Sequence, residues 1–583
     1  MNMQEARLPS TAYFIRRLLA YHPWPQVASG CCWVLFHSWP LFPGLLAKAF
    51  FDLLQGRAPA SVTLERLVAL VIALALARVV FVYADTRVSP LNAMRVGSLL
   101  RYNLLTRILE LPGAAALPGS VGATLSTIRD DIDATFGAGW AFDVVGFAVF
   151  AGGGLAILLS VDARVTLLVF LPIVAVLVMA YAARTRLQRR RQQSRAATAD
   201  VTGALGEMFG AVQAIQVAGA EASILAHLQR LSAERQRLML RDRLLGLALD
   251  AVFSGTASLG AGLTLLAAAS RMRAGAFTVG DFALFSTYLL QVTAMTGFLG
   301  YIVATYQQMG VAFARAVALL QGAAPQRLVA HQPLELVGPL PPMPVTPAVE
   351  ADRLVTLEVA GLTFRYPDSE RGISDISFIL QRGSITIVTG RIGTGKSTLL
   401  RVLLGLLEAQ AGEVRWNSRR LADPAAFLAP PNAAYTPQVP TLLSGTLREN
   451  LLLGIDTDDS ALRHAIDCAV LEADLATFPA GLETLIGARG VRLSGGQIQR
   501  TAAARMFVRE AELLVLDDLS SALDVETEQL LWQRLLEQRD VTVLAVSHRP
   551  LLLRSADQVI VLEEGRLVAM GPPGEMMSSI LQR

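Results

Sequence analysis

Two kinds of hydrophobic pattern divide the chain near residue 320. Before that point, apolar stretches of the length that a bilayer requires, about 20 residues each, alternate with polar stretches of helical periodicity. We predict membrane-spanning helices at 26–50, 64–86, 137–160, 163–183, 244–269 and 280–307. Small residues such as Gly152, Gly153 and Gly154 recur inside them, which favours close helix packing in lipid. The pattern predicts an α-helical membrane domain over residues 1–321, with a large buried helical bundle as the alternative.

The connections between the predicted spans differ strongly in length. A short turn around Asp162 joins the third and fourth spans, whereas the second and third, and the fourth and fifth, are separated by long polar stretches. The later of these long stretches contains a cluster of arginines: Arg184, Arg186, Arg189, Arg190, Arg191 and Arg195. Because positive charge is retained on the cytoplasmic side of a membrane, we expect the long connections and both termini in the cytoplasm. The predicted location is the cell (inner or plasma) membrane.

A proline-rich segment separates this half from a second one. Between 322 and 353 prolines crowd a stretch without periodicity, which predicts an extended linker. After it, strand and helix patterns alternate, which indicates a soluble α/β domain over 354–583. The predicted strands are Leu357–Phe364, Ser384–Thr389, Leu513–Leu516 and Thr542–Ser547.

Composition agrees with a large membrane fraction and narrows the function. Hydrophobic residues make up 53% of the 583 positions and charged residues only 17%, whereas a soluble chain carries about 25% charge. The 51 basic and 48 acidic residues nearly balance, which gives no support for nucleic-acid binding. The 3 cysteines cannot form a disulfide framework or a four-ligand zinc site.

A glycine-rich segment in the second half has the context of a phosphate-binding loop, because it follows an apolar strand and precedes an apolar helix. Its glycines would let backbone N–H groups surround phosphates, and the helix N-terminus adds a favourable dipole. The predicted ATP-binding residues are Gly390, Arg391, Ile392, Gly393, Thr394, Gly395, Lys396, Ser397 and Thr398. Lys396 would contact the β- and γ-phosphates, and Ser397 would bind Mg²⁺. A glycine-rich structural turn, the alternative, leaves the lysine unexplained.

Downstream, a buried-type strand ends at Asp517, and in P-loop proteins such an aspartate holds magnesium. The chain then carries a run that distinguishes one family from other P-loop proteins, since it matches the ATP-binding-cassette (ABC) signature: Leu493, Ser494, Gly495, Gly496 and Gln497. The chain therefore resembles an ABC transporter half-subunit of the exporter type. The resemblance implies six membrane helices fused to an ATP-binding cassette, with ATP and Mg²⁺ as cofactors.

The resemblance also assigns roles to residues around the signature. Tyr366 resembles the aromatic residue that stacks on adenine, and Gln438 resembles the Q-loop glutamine that meets magnesium and senses the membrane half. Ser521 and Asp524 resemble the D-loop, and His548 resembles the switch histidine. In the membrane half, segments 111–118 and 214–221 resemble the first and second coupling helices.

One position departs from the family. The residue after Asp517 is normally a glutamate that polarises the attacking water, and here it is Asp518, with Gln438 and His548 as its predicted catalytic companions. A misplacement of about 1 Å can cost around 10²-fold in rate, so we expect slow hydrolysis at this chain's own P-loop. In the family each ATP site combines the P-loop of one subunit with the signature of the other. The intact signature therefore predicts a heterodimer, in which a second half-transporter carries the glutamate.

A glutamate often found shortly before the signature is also absent, and Ala488 stands there. Charged residues inside predicted spans are functional candidates by default, and among them we single out Arg78, Asp143 and Asp250. They either line a cavity for an amphipathic, charged solute, or they extend to the membrane interface or pair with one another. The sequence predicts membrane lipids as partners and does not identify the transported solute. Export or flipping is the favoured function, and the alternatives are an importer on the exporter-type fold and an ATP-dependent regulator of a membrane partner.

Overall fold

The structure is a computed structural model that describes residues 8–113, 117–135, 140–273, 275–334, 353–367, 369–487, 492–519, 522–537 and 541–576, with some helical positions described by their backbone only. Most of the predicted proline-rich linker, 335–352, lies outside the described residues. The chain divides into two compact units. The first contains Met1–Leu105 and Pro118–Leu336, and the second contains Thr106–Leu117 and Val337–Arg583.

The first unit is built from helices. In chain order they are α1 (Thr11–Leu19), α2 (Pro23–Ser38), α3 (Leu41–Leu54), α4 (Leu64–Glu110), α5 (Val121–Ser126), a π-helical turn (Thr127–Asp131), α6 (Ile132–Thr135), α7 (Trp140–Gly210), α8 (Val212–Val217), α9 (Glu221–Arg273), α10 (Val279–Ala318) and a 3₁₀ turn (Pro325–Val329). The exporter-type membrane fold predicted from the sequence is confirmed. α8 overlaps the stretch that resembles the second coupling helix, and its last residue, Val217, is 91% exposed.

Three helical stretches of the described residues are long and apolar enough to cross a membrane: Pro23–Leu54, Leu64–Glu110 and Phe142–Leu168. They contain the first three predicted spans apart from residues 137–141, of which 137–139 lie outside the described residues. Large apolar side chains on α4 face outward, with Ile72 54% and Val79 66% exposed. Lipid, rather than water, suits such a surface. The predicted fourth, fifth and sixth spans lie on α7, α9 and α10, where many positions are described by backbone only.

The turn predicted between the third and fourth spans consists of one residue. Asp162 has non-helical backbone angles (φ −159°, ψ 105°) inside α7. Its carboxylate accepts hydrogen bonds from the backbone N–H groups of Arg164 (3.0 Å) and Val165 (3.2 Å). This side chain therefore caps the helix that follows, as aspartate does at helix N-termini. Its second carboxylate oxygen pairs with Arg271 of α9 at 2.5 Å.

The helices of the first unit approach closely where a glycine lies at the contact. Tyr288 of α10 is fully buried and donates a hydrogen bond to the backbone oxygen of Leu41 at 2.7 Å. A Cβ atom at Gly44 would lie 2.3 Å from the Tyr288 ring, so a larger residue would push α3 away from α10. Small residues at such contacts are how helices pack in lipid.

The second unit is an α/β domain, as predicted. Its strands are β1 (Thr356–Arg365), β2 (Gly372–Gln381), β3 (Ile385–Thr389), β4 (Ala411–Trp416), β5 (Arg419–Arg420), β6 (Ala433–Thr436), β7 (Gly445–Thr446), β8 (Leu485–Ile486), β9 (Leu513–Asp517), β10 (Thr542–Val546), β11 (Gln558–Glu563) and β12 (Arg566–Gly571). Its helices are α11 (Lys396–Leu403), α12 (Pro424–Phe427), α13 (Leu447–Leu452), α14 (Asp459–Cys468), α15 (Glu472–Thr477), α16 (Gly495–Phe507), α17 (Val525–Leu536) and α18 (Pro550–Ser555), with a 3₁₀ turn at Gly481–Glu483.

The central sheet of this unit has the order β12-β11-β3-β10-β9-β6, and a second sheet has the order β2-β1-β4-β5. In the central sheet β11, β3, β10, β9 and β6 run parallel. Strands β9 and β10 are fully buried, which explains their continuous apolar sequences. Because ligands of open α/β sheets bind at the carboxyl ends of the strands, the functional residues are expected where β3, β9 and β10 end.

Candidate functional site

The glycine-rich loop runs from the end of β3 to the start of α11. Gly390 has φ 144°, and a Cβ atom there would lie 2.2 Å from the backbone oxygen of Leu562. Gly395 adopts the left-handed conformation (φ 96°) directly before α11. Both positions therefore require glycine. The loop borders a cavity of about 490 Å³ that Thr389, Gly390, Arg391, Ile392, Thr394, His548, Val561, Leu562 and Glu563 line.

Lys396, the first residue of α11, folds back over the loop. Its ammonium group donates hydrogen bonds to the backbone oxygens of Gly390 (2.7 Å) and Arg391 (2.8 Å). Burial lowers the pKa of Lys396, while Asp518 and Asp517 act in the opposite direction. An anion that replaced the two neutral carbonyls would bind the ammonium more strongly, because two opposite full charges attract each other.

Asp517 ends β9 beside this lysine and is 1% exposed. One of its oxygens accepts a hydrogen bond from the Ser397 hydroxyl at 2.9 Å, and the other lies 3.4 Å from the Tyr435 hydroxyl. Burial raises the pKa of Asp517, and the bond from Ser397 opposes the rise. A hydroxyl and a carboxylate side by side are oxygen donors, which Mg²⁺ prefers together with ligand phosphates. The residues present therefore fit magnesium.

Asp518 follows with a left-handed backbone (φ 52°), and its N–H donates to the backbone oxygen of Val546 at 3.2 Å. Its carboxylate accepts a hydrogen bond from the Gln438 side chain at 3.3 Å. The structure thus brings the predicted catalytic residue and the predicted Q-loop glutamine together. The shorter aspartate side chain is held by that glutamine.

His548 lies after β10, with its Nδ1 atom 3.4 Å from the Thr389 hydroxyl. Partial desolvation and the positive charge of Lys396 lower the pKa of His548, and Asp518 opposes them. Both effects favour the neutral form of the imidazole in the absence of a ligand. It lines the same cavity as the glycine-rich loop, so these predicted residues occupy one site.

Tyr366, the predicted adenine-stacking residue, follows β1. Its hydroxyl lies 3.3 Å from the Thr398 hydroxyl on α11, and its ring makes an edge contact with Phe364 at a centroid distance of 5.0 Å. This places an aromatic ring beside the first turn of the helix that starts at Lys396.

The signature residues form the start of α16. The Ser494 hydroxyl accepts from the N–H of Gln497 at 3.3 Å, and the Gln497 side chain accepts from the N–H of Ser494 at 2.8 Å. This reciprocal capping box leaves the N-terminus of the helix preorganised. Gln497 also donates to Asp474 at 2.9 Å, and Arg500 pairs with the same carboxylate at 2.7 Å. A helix N-terminus held in this way is suited to an anion.

Two residues named in the sequence analysis of the cassette, Ala488 and Ser521, lie outside the described residues. Asp524 caps α17 by accepting the N–H of Thr527 at 3.0 Å, and this hydrogen bond lowers the pKa of Asp524. The N–H of Ala522 donates to the buried Gln499 of α16 at 3.0 Å. The start of the D-loop segment is thereby tied to the signature helix.

The three charged residues predicted in the spans have different surroundings. Arg78 lies over the Phe36 ring at 5.3 Å and lines a cavity of about 700 Å³ between α2–α3 and α4. Asp143 pairs with His37 of α2 at 2.9 Å. Asp250 lies on α9, and its side chain is outside the described residues. Among the described side chains Asp143 pairs with His37 rather than with Arg78.

Sequence reasoning missed three residues that the structure places at these sites. Tyr435 lies in β6, three positions before Gln438. This spacing is a weak indication that Tyr435 lies near the site and contacts Asp517. Asp474 lies on a short polar helix, and nothing local indicates its contact with Gln497. His37 interrupts an apolar stretch, and a polar residue at such a position was a usable signal.

Two family models match the chain. The model for the ABC transporter transmembrane region matches residues 34–295, and the model for the ABC transporter matches residues 373–521. In fold, the chain is similar to a bacterial Atm1-family ABC exporter with ATP bound, with a TM-score of 0.72 and 22% identity over 95% of this chain and 97% of that one. This similarity supports the exporter-type fold.

Curated relatives cover most of the chain. An ATP-dependent lipid A-core flippase of Xanthomonas oryzae pv. oryzae (strain MAFF 311018) is 29% identical over 498 residues, which are 84% of this chain and 81% of the relative. A protein of the same name from Bordetella pertussis is 28% identical over 492 residues, which are 82% of this chain and 75% of the relative.

Proposed function

The chain belongs to the ABC transporter family, and on that premise we propose that it is one half of a dimeric, ATP-driven exporter of an amphipathic, lipid-like molecule. The observation that carries the proposal is the cassette site, in which Lys396, Asp517, Asp518 and His548 meet beside the glycine-rich loop. The relatives' names add the substrate class, since they describe ATP-dependent flippases of a lipid.

The cassette's own residues account for ATP binding. Lys396 exchanges its two backbone carbonyls for the β- and γ-phosphates, and the N-terminus of α11 adds its dipole. Tyr366 stacks on the adenine. Ser397 and Asp517 would hold Mg²⁺, with Gln438 as a further oxygen donor, and the ion would supply charge neutralisation at the phosphates. The neutral imidazole of His548 then contacts the γ-phosphate end of the site.

A second half-transporter completes the site. Leu493–Gln497 sit at the N-terminus of α16 and serve the partner's ATP, while the P-loop receives the partner's signature. ATP bridges the two cassettes, and its hydrolysis releases them, so a ligand biases a two-state assembly. Asp518 makes this chain's own site slow, which favours a heterodimer whose other subunit carries glutamate.

The membrane half offers a place for an amphipathic molecule. The cavity beside Arg78 is lined by apolar residues of α3 and α4, among them Leu46, Phe50, Leu67 and Val71. A single guanidinium at the end of an apolar cavity is complementary to a molecule with an acyl chain and an anionic group. Asp143 and Asp250 are the acidic candidates in the same half. We place the protein in the inner membrane with the cassette and both termini in the cytoplasm, because the arginines of the long connection favour that orientation.

Transport in vesicles of defined orientation tests this function. The chain, with its partner half-transporter where one is encoded beside it, is reconstituted with fluorescent lipid A, and movement from the cassette-bearing leaflet is followed with ATP. We expect ATP-dependent movement away from the cassette side. Movement towards it would instead identify an importer, and ATP binding without movement of any lipid would identify a regulator.

Two arginines on α4 provide a matched pair of variants. Arg78→Gln should slow the movement of anionic lipid, because the cavity loses its one cation. Arg87 stacks on Tyr83 at 5.1 Å and does not line the cavity, so Arg87→Gln should leave the rate unchanged. Equal rates for both variants would contradict the role of Arg78.

A further inference from the structure

Three titratable side chains from three helices meet inside the membrane half. His37 of α2 pairs with Asp143 of α7 at 2.9 Å, with side chains only 11% and 14% exposed. Eight residues earlier on α2, the Ser29 hydroxyl donates to Asp85 of α4 at 2.7 Å, and Trp33, between them, also hydrogen-bonds Asp85. The charge of Asp143 on α7 also acts on Asp85. We name Asp85, His37 and Asp143 the α2–α4–α7 cluster.

The packing holds this cluster together and shields it. The His37 ring stacks on Trp33 at 5.4 Å and packs against Phe147 at 4.1 Å. A Cβ atom at Gly146 would lie 2.8 Å from Cβ of His37. Because glycine stands there, α2 and α7 approach closely enough for the His37–Asp143 pair to form.

The charges of the cluster do not balance without an extra proton. With His37 protonated and both carboxylates ionised, the net charge is −1. Arg78, two helical turns from Asp85, lies over Phe36 and is not among the groups that act on Asp85. Within the described residues no arginine or lysine is within ion-pair distance of Asp85 or Asp143. The other titratable or charged side chains of the facing helix segments are Cys31, Cys32, Arg78, Tyr83 and Arg87.

An unbalanced charge in this environment is costly. Asp85 is half-buried, and loss of contact with water favours the neutral form of a carboxylate that has no cationic partner. The cluster reaches neutrality when His37 and Asp143 form an ion pair and Asp85 carries a proton. In that state Asp85 still accepts the hydrogen bond from Ser29.

We propose that the α2–α4–α7 cluster is an intramembrane proton-binding site, in which Asp85 takes up and releases one proton beside the His37–Asp143 ion pair. Release leaves a net negative charge where α2 meets α4 and α7. Contacts of α2 with these two helices therefore depend on the proton, and so does any movement that separates them. The site exists whatever molecule the exporter carries.

Infrared titration of the full chain in lipid nanodiscs tests the site directly. The C=O stretch of a protonated carboxylic acid is read between about pH 5 and 8, the range in which histidine titrates. We expect a protonated-carboxyl band near neutral pH that Asp85→Asn removes. Asp162, which is buried and pairs with Arg271, provides the control, and Asp162→Asn should leave the band in place.

A second variant separates proton binding from a purely structural role. In His37→Gln the cluster loses the cation that faces its carboxylates, so its negative charge is less compensated and the protonated-carboxyl band should grow. A band that is identical in wild type, Asp85→Asn and His37→Gln across this pH range would overturn the proposal. These readouts need neither transport nor ATP, so they stand or fall independently of the proposed function.

Discussion

The chain's two lysines lie in opposite surroundings, one in each half. Lys396 donates to two neutral backbone carbonyls beside the glycine-rich loop, and in the described residues no carboxylate lies within ion-pair distance of it. Lys48 of α3 lies between two carboxylates, Asp52 at 3.2 Å and Asp281 at the start of α10. The charge of Lys396 in the cassette is therefore available for a ligand, whereas the charge of Lys48 in the membrane half is neutralised by carboxylates of α3 and α10.

The largest expected effect follows from removing the lysine that faces a ligand. Lys396→Met deletes the cation that meets the phosphates, and each hydrogen bond to a charged group contributes about 1.5–3 kcal/mol. Two such bonds correspond to a loss in ATP affinity of about two to four orders of magnitude. Equilibrium binding of a fluorescent ATP analogue to the purified chain measures this loss. Thermal stability without nucleotide should stay near that of the wild type.

A loss of stability without a loss of ATP affinity in Lys396→Met would contradict the contrast between the two lysines. If Lys396→Met unfolds at a markedly lower temperature but binds nucleotide normally, then the lysine stabilises the fold rather than binding phosphate.

The second effect concerns the lysine that is already paired. Lys48→Met leaves Asp281, whose side chain is 8% exposed, buried without its cation, which costs about 3–5 kcal/mol. We expect a lower free energy of unfolding in detergent and unchanged ATP affinity. Arg57, an exposed cation at the same end of α3 that contacts the backbone oxygen of Gly275 at 3.5 Å, gives the control, and Arg57→Met should cost much less. Equal losses for the two variants would show that Lys48 is not a special position.

The same contrast explains what the sequence predicted and what it missed. Lys396 and Ser397 were predicted because the loop, its strand and its helix are adjacent in sequence. Asp517 was predicted because it ends a strand, and parallel strands bring their carboxyl ends to one edge of the sheet. These residues lie in one site because of the order of the strands in the sheet. The sequence pattern predicts the strands but not their order.

The membrane half gave fewer correct details. The sequence identified Asp143 but not its partner His37, which lies 106 residues earlier, because no local pattern states which faces of two spans meet. Gly146 permits that contact, and a glycine within an apolar stretch carries no such information by itself. Lys48 and Asp281 are likewise joined only by the packing of α3 on α10.

A smaller effect concerns the pH dependence of ATP binding. The positive charge of Lys396 and partial desolvation lower the pKa of His548 from its usual 6.5. Bound phosphates place negative charge beside the imidazole and raise this pKa, so binding takes up a proton. Affinity should therefore increase as pH falls below about 6.5, by no more than about tenfold per unit of pKa change. His548→Gln should remove this part of the pH dependence, and an unchanged profile in that variant would exclude the linkage.

The most direct measurement is steady-state ATP hydrolysis by the purified chain in nanodiscs that hold two copies, compared between wild type, Asp518→Glu and Asp518→Ala. Asp518 is held by Gln438 and is one methylene shorter than the family's glutamate. We expect slow hydrolysis in the wild type, little further loss in Asp518→Ala, and a rate about 10²-fold higher in Asp518→Glu. Brisk, transport-coupled hydrolysis by the wild-type homodimer that Asp518→Ala abolishes would contradict the account, because the chain would then need no different partner.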